Sequence, residues 1–348
     1  MIKFSQLPNK IKTVLKALEN QLQGAKTLLI LLHNNPDPDA IASGFALAAL
    51  ADSLCGVAAT IAYNGILGRA ENRAMVSLLD IPLVKTSSIR YSGYDRIAMV
   101  DTQPGQGNNP LPAGMHTHIV FDHHASSANI DADLVVYNSK LGATATLLCE
   151  LLMAAKVDIK INLATAIAYA IRSETQELRR EANKRDIQAY LAVYPLCSLP
   201  KMGAITNPTL LNSYFQELAI ALNRACKFRH LIFIPLGYVD APEIIAEMSD
   251  LFLRRERTSW ALAVGNIQDS MYLSLRTNKK NARAFRVIQR IVGDNENAGG
   301  HNQFAGGKID LEKADASDMM LLEEDVRTRF AAVLGIKNAN WKPLIEKL

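Results

Sequence analysis

The sequence predicts an α/β protein of two domains, the first a doubly wound, mostly parallel sheet and the second a smaller α/β domain. Three observations carry that prediction. Short apolar runs alternate with helical patterns through the first half of the chain. The stretch "YPLCSLPKMGAITNPTL", with three prolines and a glycine, interrupts the pattern, and a second alternation follows it. The length, 348 residues, suits two domains. The expected boundaries are residues 1–195 for the first domain, 196–226 for a connection, and 227–348 for the second.

Taken in order, Gln6 to Leu22 reads as an amphipathic helix, with Ile11, Val14, Leu15, Leu18 and Leu22 at helical spacing. "TLLILL", 27–32, reads as a buried strand, 40–53 as a helix, "VAATIAY", 57–63, as a strand, and 69–79 as a helix. "RIAMVD", 96–101, and "THIVFD", 117–122, are apolar runs that each end in Asp, as parallel strands covered on both faces do. "GATATLLCELLMAAK", 142–156, is helical, and helical text extends from Ala182 to Ala225. In the second domain "HLIFIPLGYV", 230–239, is a strand, 243–254 a helix, and "WALAVGNI" and "MYLSLRT" two strands joined near Gln268 to Ser270. "ARAFRVIQRIV", 282–292, is a helix.

Composition narrows the class. Hydrophobic residues make up 49% and charged residues 21%, the profile of a soluble globular chain. A net charge of +4 fits a phosphate-bearing substrate without implying duplex binding. The first 26 residues lack an apolar h-region, and residues 40–63 are too rich in Ala and Gly for a membrane span, so a cytoplasmic protein with no membrane partner is expected. Cys55, Cys149, Cys197 and Cys226 are far apart and read as reduced core fillers.

Three apolar strands end in polar groups: His33, Asp37 and Asp39 after the first, Asp101 at the second, and Asp122, His123 and His124 at the third. Alone, each has a plain explanation, such as an acidic turn between Pro36 and Pro38. Together they point to chemistry, because ligands of open α/β sheets bind at the carboxyl ends of strands. Acids and imidazoles without cysteine suit hard divalent ions such as Mn²⁺ or Mg²⁺, and several carboxylates can hold two ions for phosphoryl displacement.

"HNNPDPDAIASG", "VDTQPG", "FDHH" and "GGHNQFAGG", in that order over residues 27–310, resemble the successive motifs of the DHH phosphoesterases, the last that of the DHH-associated substrate domain. The likeness is closest to the branch with nano-RNases, phosphoadenosine-phosphate phosphatases and cyclic-dinucleotide phosphodiesterases. It implies two Mn²⁺ ions, with Mg²⁺ or Co²⁺ as substitutes. His33, Asp37 and Asp101 would hold one ion, Asp39, Asp101 and His123 the other, with Asp101 bridging. Asp101, Asp122 and His124 would be catalytic, Asp122 orienting an imidazole and His124 facing the substrate phosphate. The family's fourth motif is a Thr-Asp-Thr-Gly-like stretch. Here "AIRSETQEL" puts Glu174 at the Asp, as a further ligand with a longer side chain, and Gln176 at the Gly. Substrate would be gripped by His124, Arg276, Gly299, Gly300, His301, Gly306 and Gly307, with closure of the two domains.

The expected reaction is two-metal hydrolysis, hydroxide attacking the phosphodiester or phosphomonoester of a short nucleotide: an oligoribonucleotide, a linear or cyclic dinucleotide, or 3′-phosphoadenosine 5′-phosphate. Polyphosphate or pyrophosphate hydrolysis is the alternative enzymatic reading, and a nucleotide-binding protein with weakened catalysis the other. The run Lys279, Lys280, Arg283, Arg286 and Arg290 fits either a solvated helix face or a guide for a polyanion. Phe304 and Tyr272 are assigned to the core in preference to base stacking. Self-association into a homodimer is left open.

Overall fold

The computed structural model describes residues 9–124, 130–179, 182–240, 242–294, 297–300, 302–311 and 316–345. The chain divides into two compact units, Met1–Pro208 and Thr209–Leu348. The division falls inside the stretch 196–226, which is helical rather than extended.

In the first unit the order is α1 (Asn9–Leu22), β1 (Thr27–Leu31), α2 (Pro38–Cys55), β2 (Ala58–Tyr63), α3 (Ala70–Leu78), β3 (Leu83–Lys85), β4 (Arg96–Val100), β5 (Ile119–Asp122), β6 (Leu134–Tyr137), α4 (Thr144–Ala154), α5 (Ile161–Glu174), α6 (Lys184–Val193) and α7 (Leu199–Thr206). The strands form one parallel sheet in the order β3-β2-β1-β4-β5-β6. The order reverses between β1 and β4, the position at which doubly wound sheets bind ligands.

The unbroken apolar text of β1 is explained by burial on both faces. Leu28 and Ile30 join the large core made with helices such as α2, α4 and α5, while Leu29 and Leu31 join a second cluster with Ile97, Met99 and Val120. Residues 40–63, weighed above as a membrane span, are most of α2 followed by β2. Among the described residues, no helix is long and apolar enough to cross a membrane. The edge strands β3 and β6 carry no sequence signal, being three and four residues long and without a buried residue.

The second unit runs α8 (Asn212–Arg224), β7 (Cys226–Phe228), β8 (Leu231–Tyr238), α9 (Pro242–Leu253), β9 (Trp260–Ile267), β10 (Ser270–Thr277), α10 (Ala284–Val292), β11 (Ala298–Gly300), β12 (Phe304–Asp310), α11 (Ala316–Val333) and β13 (Lys342–Pro343). Its mixed sheet has the order β11-β12-β10-β9-β8-β7-β13. Here too the apolar strands are two-faced: Leu231 and Phe233 of β8 pack toward α10 and α11, Ile232 and Ile234 toward α8 and α9.

Two expectations need correction. Cys55 is exposed, since α2 runs on to that residue and turns it outward, so only Cys149 and Cys226 are fully core residues. Phe304 is 37% exposed rather than core, because it lies on the open face of β12 near the sheet edge. The glycine-rich text "AGG…FAGG" forms a strand pair, β11 with β12.

Candidate metal centre

The turn after β1 is built by a helix N-terminus. Asp37 caps α2, its Oδ1 accepting the backbone N–H groups of Asp39 and Ala40, both at 3.0 Å. Pro38 takes the first helical position, where a missing N–H costs nothing. Asp39, one residue further, is buried and reaches another helix. Its Oδ2 and Oδ1 accept the N–H groups of Thr144 at 2.7 Å and Ala145 at 2.8 Å, at the start of α4. The two acids of "DPD" are thus fixed by two different helix ends.

Asp101 follows β4 with φ +58°, a left-handed conformation that Asp tolerates better than most residues. Its N–H bonds the Phe121 carbonyl at 2.8 Å, and its Oδ1 accepts the Thr144 hydroxyl at 2.8 Å. Asp122 ends β5. Its Oδ2 accepts Gln103 Nε2 at 2.5 Å, while its Oδ1 takes the His124 N–H at 3.0 Å and meets His124 Nδ1 at 2.9 Å. Asp122 therefore holds an imidazole.

The strand ends converge. His33 Nε2 lies 3.6 Å from Asp37 Oδ1 and 3.7 Å from Asp101 Oδ2. His123 Nε2 lies 3.7 Å from Asp39 Oδ2 and 3.6 Å from Asp101 Oδ1. Asp101 faces His33 with Oδ2 and His123 with Oδ1. His124 Nδ1 stands 3.5 Å from Asp101 Oδ1.

These residues fit divalent cations. The Nδ1 atoms of His33 and His123 meet the Asn34 and Leu141 carbonyls at 2.9 and 3.0 Å, which assigns the proton to Nδ1 and turns the Nε2 lone pair inward. Among the described residues, His123 Nε2 is buried without a hydrogen-bond partner. The separations of 3.6–3.7 Å exceed a hydrogen bond. Two ligands each about 2.1 Å from one ion would lie roughly 3.0–3.5 Å apart, a spacing the side chains reach by small shifts.

Electrostatics agree. Burial raises the Asp39 carboxyl well above its ordinary range, and the charges of Asp101, Glu174 and Asp37 add to the effect. Burial also raises Asp101, with Asp37 adding, against three nearby imidazoles that lower it. For His33, burial lowers the pKa, but the close carboxylate of Asp37 and the charge of Asp101 together lift it to about 9. His124 rises to about 10 in the same way, chiefly through Asp122. Such crowded carboxylates call for a compensating cation.

Glu174 is the last residue of α5, and its charge acts on Asp39. It is followed by Gln176, Glu177 and Leu178 at φ +48°, +62° and +60°, three successive left-handed residues. Gln176, where the resembled motif has Gly, adopts a glycine-type conformation.

In the second unit, Arg276 of β10 donates from Nε to Asp250 at 2.7 Å, and its guanidinium lies 5.8 Å from the Phe304 ring. Arg276, Phe304, Tyr272, Ser274 and Gly306 help line a cavity of about 370 Å³, which Gly300 also borders. Among the described residues, buried Ser274 Oγ has no hydrogen-bond partner. Gly299 pairs with Gly306. Gly307 packs on α10, where a Cβ would come within 2.6 Å of Val292. His301 lies outside the described residues. The basic run from Lys279 to Arg290 is exposed.

Sequence reasoning passed over Gln103, Thr144 and the Leu141 carbonyl. Gln103 stood in the quoted "VDTQPG", and Thr144 opens the helical text after residue 142; neither residue type announces a role without its distant partner.

A profile of the DHH family, N-terminal domain, matches residues 27–171. An uncharacterized protein of Methanocaldococcus jannaschii is 33% identical over 335 residues, covering 94% of this chain and 68% of that protein. Among solved structures, an exopolyphosphatase-related protein from Bacteroides fragilis matches with a TM-score of 0.71 and 14% identity, over 93% of this chain and 98% of that one. RecJ in complex with Mn²⁺ from Thermus thermophilus matches with a TM-score of 0.53 and 14% identity, over 96% and 56%. With these two structures the chain shares the fold.

Proposed function

Because the chain belongs to the DHH family, we propose that it is a divalent-metal-dependent phosphoesterase acting on short nucleotides: oligoribonucleotides of a few units, linear or cyclic dinucleotides, or 3′-phosphoadenosine 5′-phosphate. The observation that carries the proposal is the shared Asp101, its Oδ2 near His33 and its Oδ1 near His123, with Asp37 beside the first imidazole and Asp39 beside the second. His33, Asp37 and Asp101 would hold one ion, and Asp39, Asp101 and His123 the second, with Glu174 as a further ligand. Mn²⁺ suits these hard oxygen and imidazole donors, with Mg²⁺ or Co²⁺ as substitutes. Such ions, when bound, supply Lewis acidity to the phosphoryl oxygens and ease deprotonation of water near neutral pH.

The protein's own groups orient the reaction. Asp101 keeps the two ligand sets in register. Asp122, held by Gln103, fixes His124 through Nδ1, so the other ring nitrogen is the one to donate to a phosphoryl oxygen. The charged imidazole then stabilises negative charge that grows as the bond to the leaving group breaks. In the second unit, Arg276, Phe304 and the Ser274 hydroxyl support a nucleotide as ligand, since they offer a charged fork, an aromatic face and a hydrogen-bonding group around one cavity. Gly299, Gly300, His301, Gly306 and Gly307 complete the proposed grip on substrate.

The test is incubation with Mn²⁺ and short RNAs, cyclic dinucleotides, phosphoadenosine phosphate and polyphosphate, with resolution of the products. Release of 5′-mononucleotides from short RNA selects a nuclease, free phosphate from phosphoadenosine phosphate a phosphatase. Asp101→Asn should abolish turnover. Hydrolysis that survives chelation, or near-wild-type turnover in that variant, would refute the proposal.

A further inference from the structure

We infer that Asp186, outside every recognised motif of this chain, is a positioning residue that holds one of the two ligand sets, that of Asp39, Asp101 and His123. The inference rests on the two-metal reading above.

Asp186 lies in the first turn of α6 and is fully buried. Part of its work is local: with Asn183 it closes a capping box, accepting the Asn183 N–H at 2.8 Å. A capping box needs no more than that. Yet the same carboxylate accepts the Gly142 N–H at 2.9 Å through Oδ2 and the Thr146 hydroxyl at 2.7 Å through Oδ1. One buried carboxylate therefore ties down both ends of the segment 142–146, some forty residues earlier in the chain.

That segment and the residue before it are what the ligand set leans on. The Leu141 carbonyl fixes His123 through Nδ1. The N–H groups of Thr144 and Ala145 hold the two oxygens of Asp39, and the Thr144 hydroxyl holds Asp101. All three members of the set take a bond from residues 141–145. His33 and Asp37 are anchored elsewhere, on the Asn34 carbonyl and the N-terminus of α2. The support is lopsided, and loss of Asp186 should loosen one ion much more than the other. Groups behind metal ligands typically change affinity by about 10–100-fold when removed.

Asp186→Ala deletes all three bonds. Asp186→Asn can keep them, with its amide oxygen toward Gly142 and Asn183 and its NH₂ donating to the Thr146 hydroxyl, and serves as the rescue. Glu150→Gln is the control, because it weakens the Glu150–Arg185 ion pair between the same two helices without touching the segment. The measurements are Mn²⁺ titration by calorimetry and the exchange-coupled Mn–Mn signal in electron paramagnetic resonance. Expected for Asp186→Ala is one ion at wild-type affinity, a second weakened about 10–100-fold, and loss of the coupled signal. Asp186→Asn and Glu150→Gln should retain both ions.

The inference is overturned if folded Asp186→Ala keeps two ions within threefold of wild type, if Asp186→Asn is as defective as Ala, or if Glu150→Gln loses the same ion. Should Asp186→Ala fail to fold, Thr146→Val removes one of the three bonds. A selective loss of the second ion there supports the inference and unchanged binding overturns it. A wild-type protein that takes up no Mn²⁺ overturns the metal reading itself, an outcome distinct from two ions bound alike in wild type and variant.

Discussion

Replacing Thr144 with Val keeps the outline of the side chain and deletes one hydroxyl. That hydroxyl is buried and donates to Asp101 Oδ1 at 2.8 Å. Hydrogen bonds to charged groups contribute about 1.5–3 kcal/mol, so the centre should lose that much support on the Asp101 side. If the loss falls on metal binding, at about 1.4 kcal/mol per tenfold, Mn²⁺ affinity should fall roughly 10–150-fold. The backbone N–H of Thr144 is untouched, so Asp39 keeps its partner and the fold its helix cap. Thr144→Ser retains a hydroxyl and should recover most of the affinity. Calorimetric titration of the metal-free variants provides the measurement. Thr144→Val with affinities within threefold of wild type would refute the reasoning, as would an equal loss in Thr144→Ser.

Four other outcomes are expected. To ligate, His33 must lose the proton that it holds up to about pH 9 in the metal-free protein, so apparent Mn²⁺ affinity should climb by about tenfold per pH unit between pH 6 and 8, read by titration at each pH. In the metal-free protein the sign reverses: the raised imidazole's contribution to stability is fully present below its ordinary pKa of 6.5 and is lost as pH rises through 9, which thermal melts under chelation would register. Gln176→Gly should raise stability by about 0.5–1 kcal/mol, because φ +48° strains a residue with a Cβ; an unchanged or lower melting temperature would count against that strain. Gly44→Ala should cost about 1–3 kcal/mol by denaturant titration, since its Cβ would come within 2.9 Å of Ile61 and Leu32 where α2 packs on the sheet.

The parallel sheet and the cluster of acids and imidazoles at its strand ends were legible because both write themselves into short stretches of text. Strands buried on two faces read as unbroken apolar runs, and a ligand next to a strand end inherits its position from that strand. The "DPD" text announced its acids but not how they are held. Asp39 is fixed by residues 105 and 106 positions away, and no local pattern pairs an acid with a helix end that distant. Thr144 and Gln103 stayed silent for the same reason. The β11–β12 pair was legible only as glycine, because Gly lowers strand propensity, while β12 is also held by its other neighbour, β10, which is distant in sequence.

The departure in the fourth motif has a physical consequence. A glycine there would take a left-handed conformation without cost, and a substitution by a residue with a Cβ could have rerouted the chain. Gln176 occupies that left-handed conformation itself, and Glu177 and Leu178 continue it, at the expense of strain. Arg172 helps to hold it, its backbone carbonyl accepting the Glu177 N–H at 2.8 Å and its side chain pairing with the Glu177 carboxylate at 3.3 Å. With the backbone held, Glu174 differs from an aspartate at the same place mainly by one methylene of reach. If Glu174 ligates as proposed, Glu174→Asp alone would leave the carboxylate short of its ion and weaken binding. The same change combined with Gln176→Gly, which frees the turn to readjust, should recover part of that loss. Equal Mn²⁺ affinity in the single and double variants would separate the strain at Gln176 from the placement of Glu174.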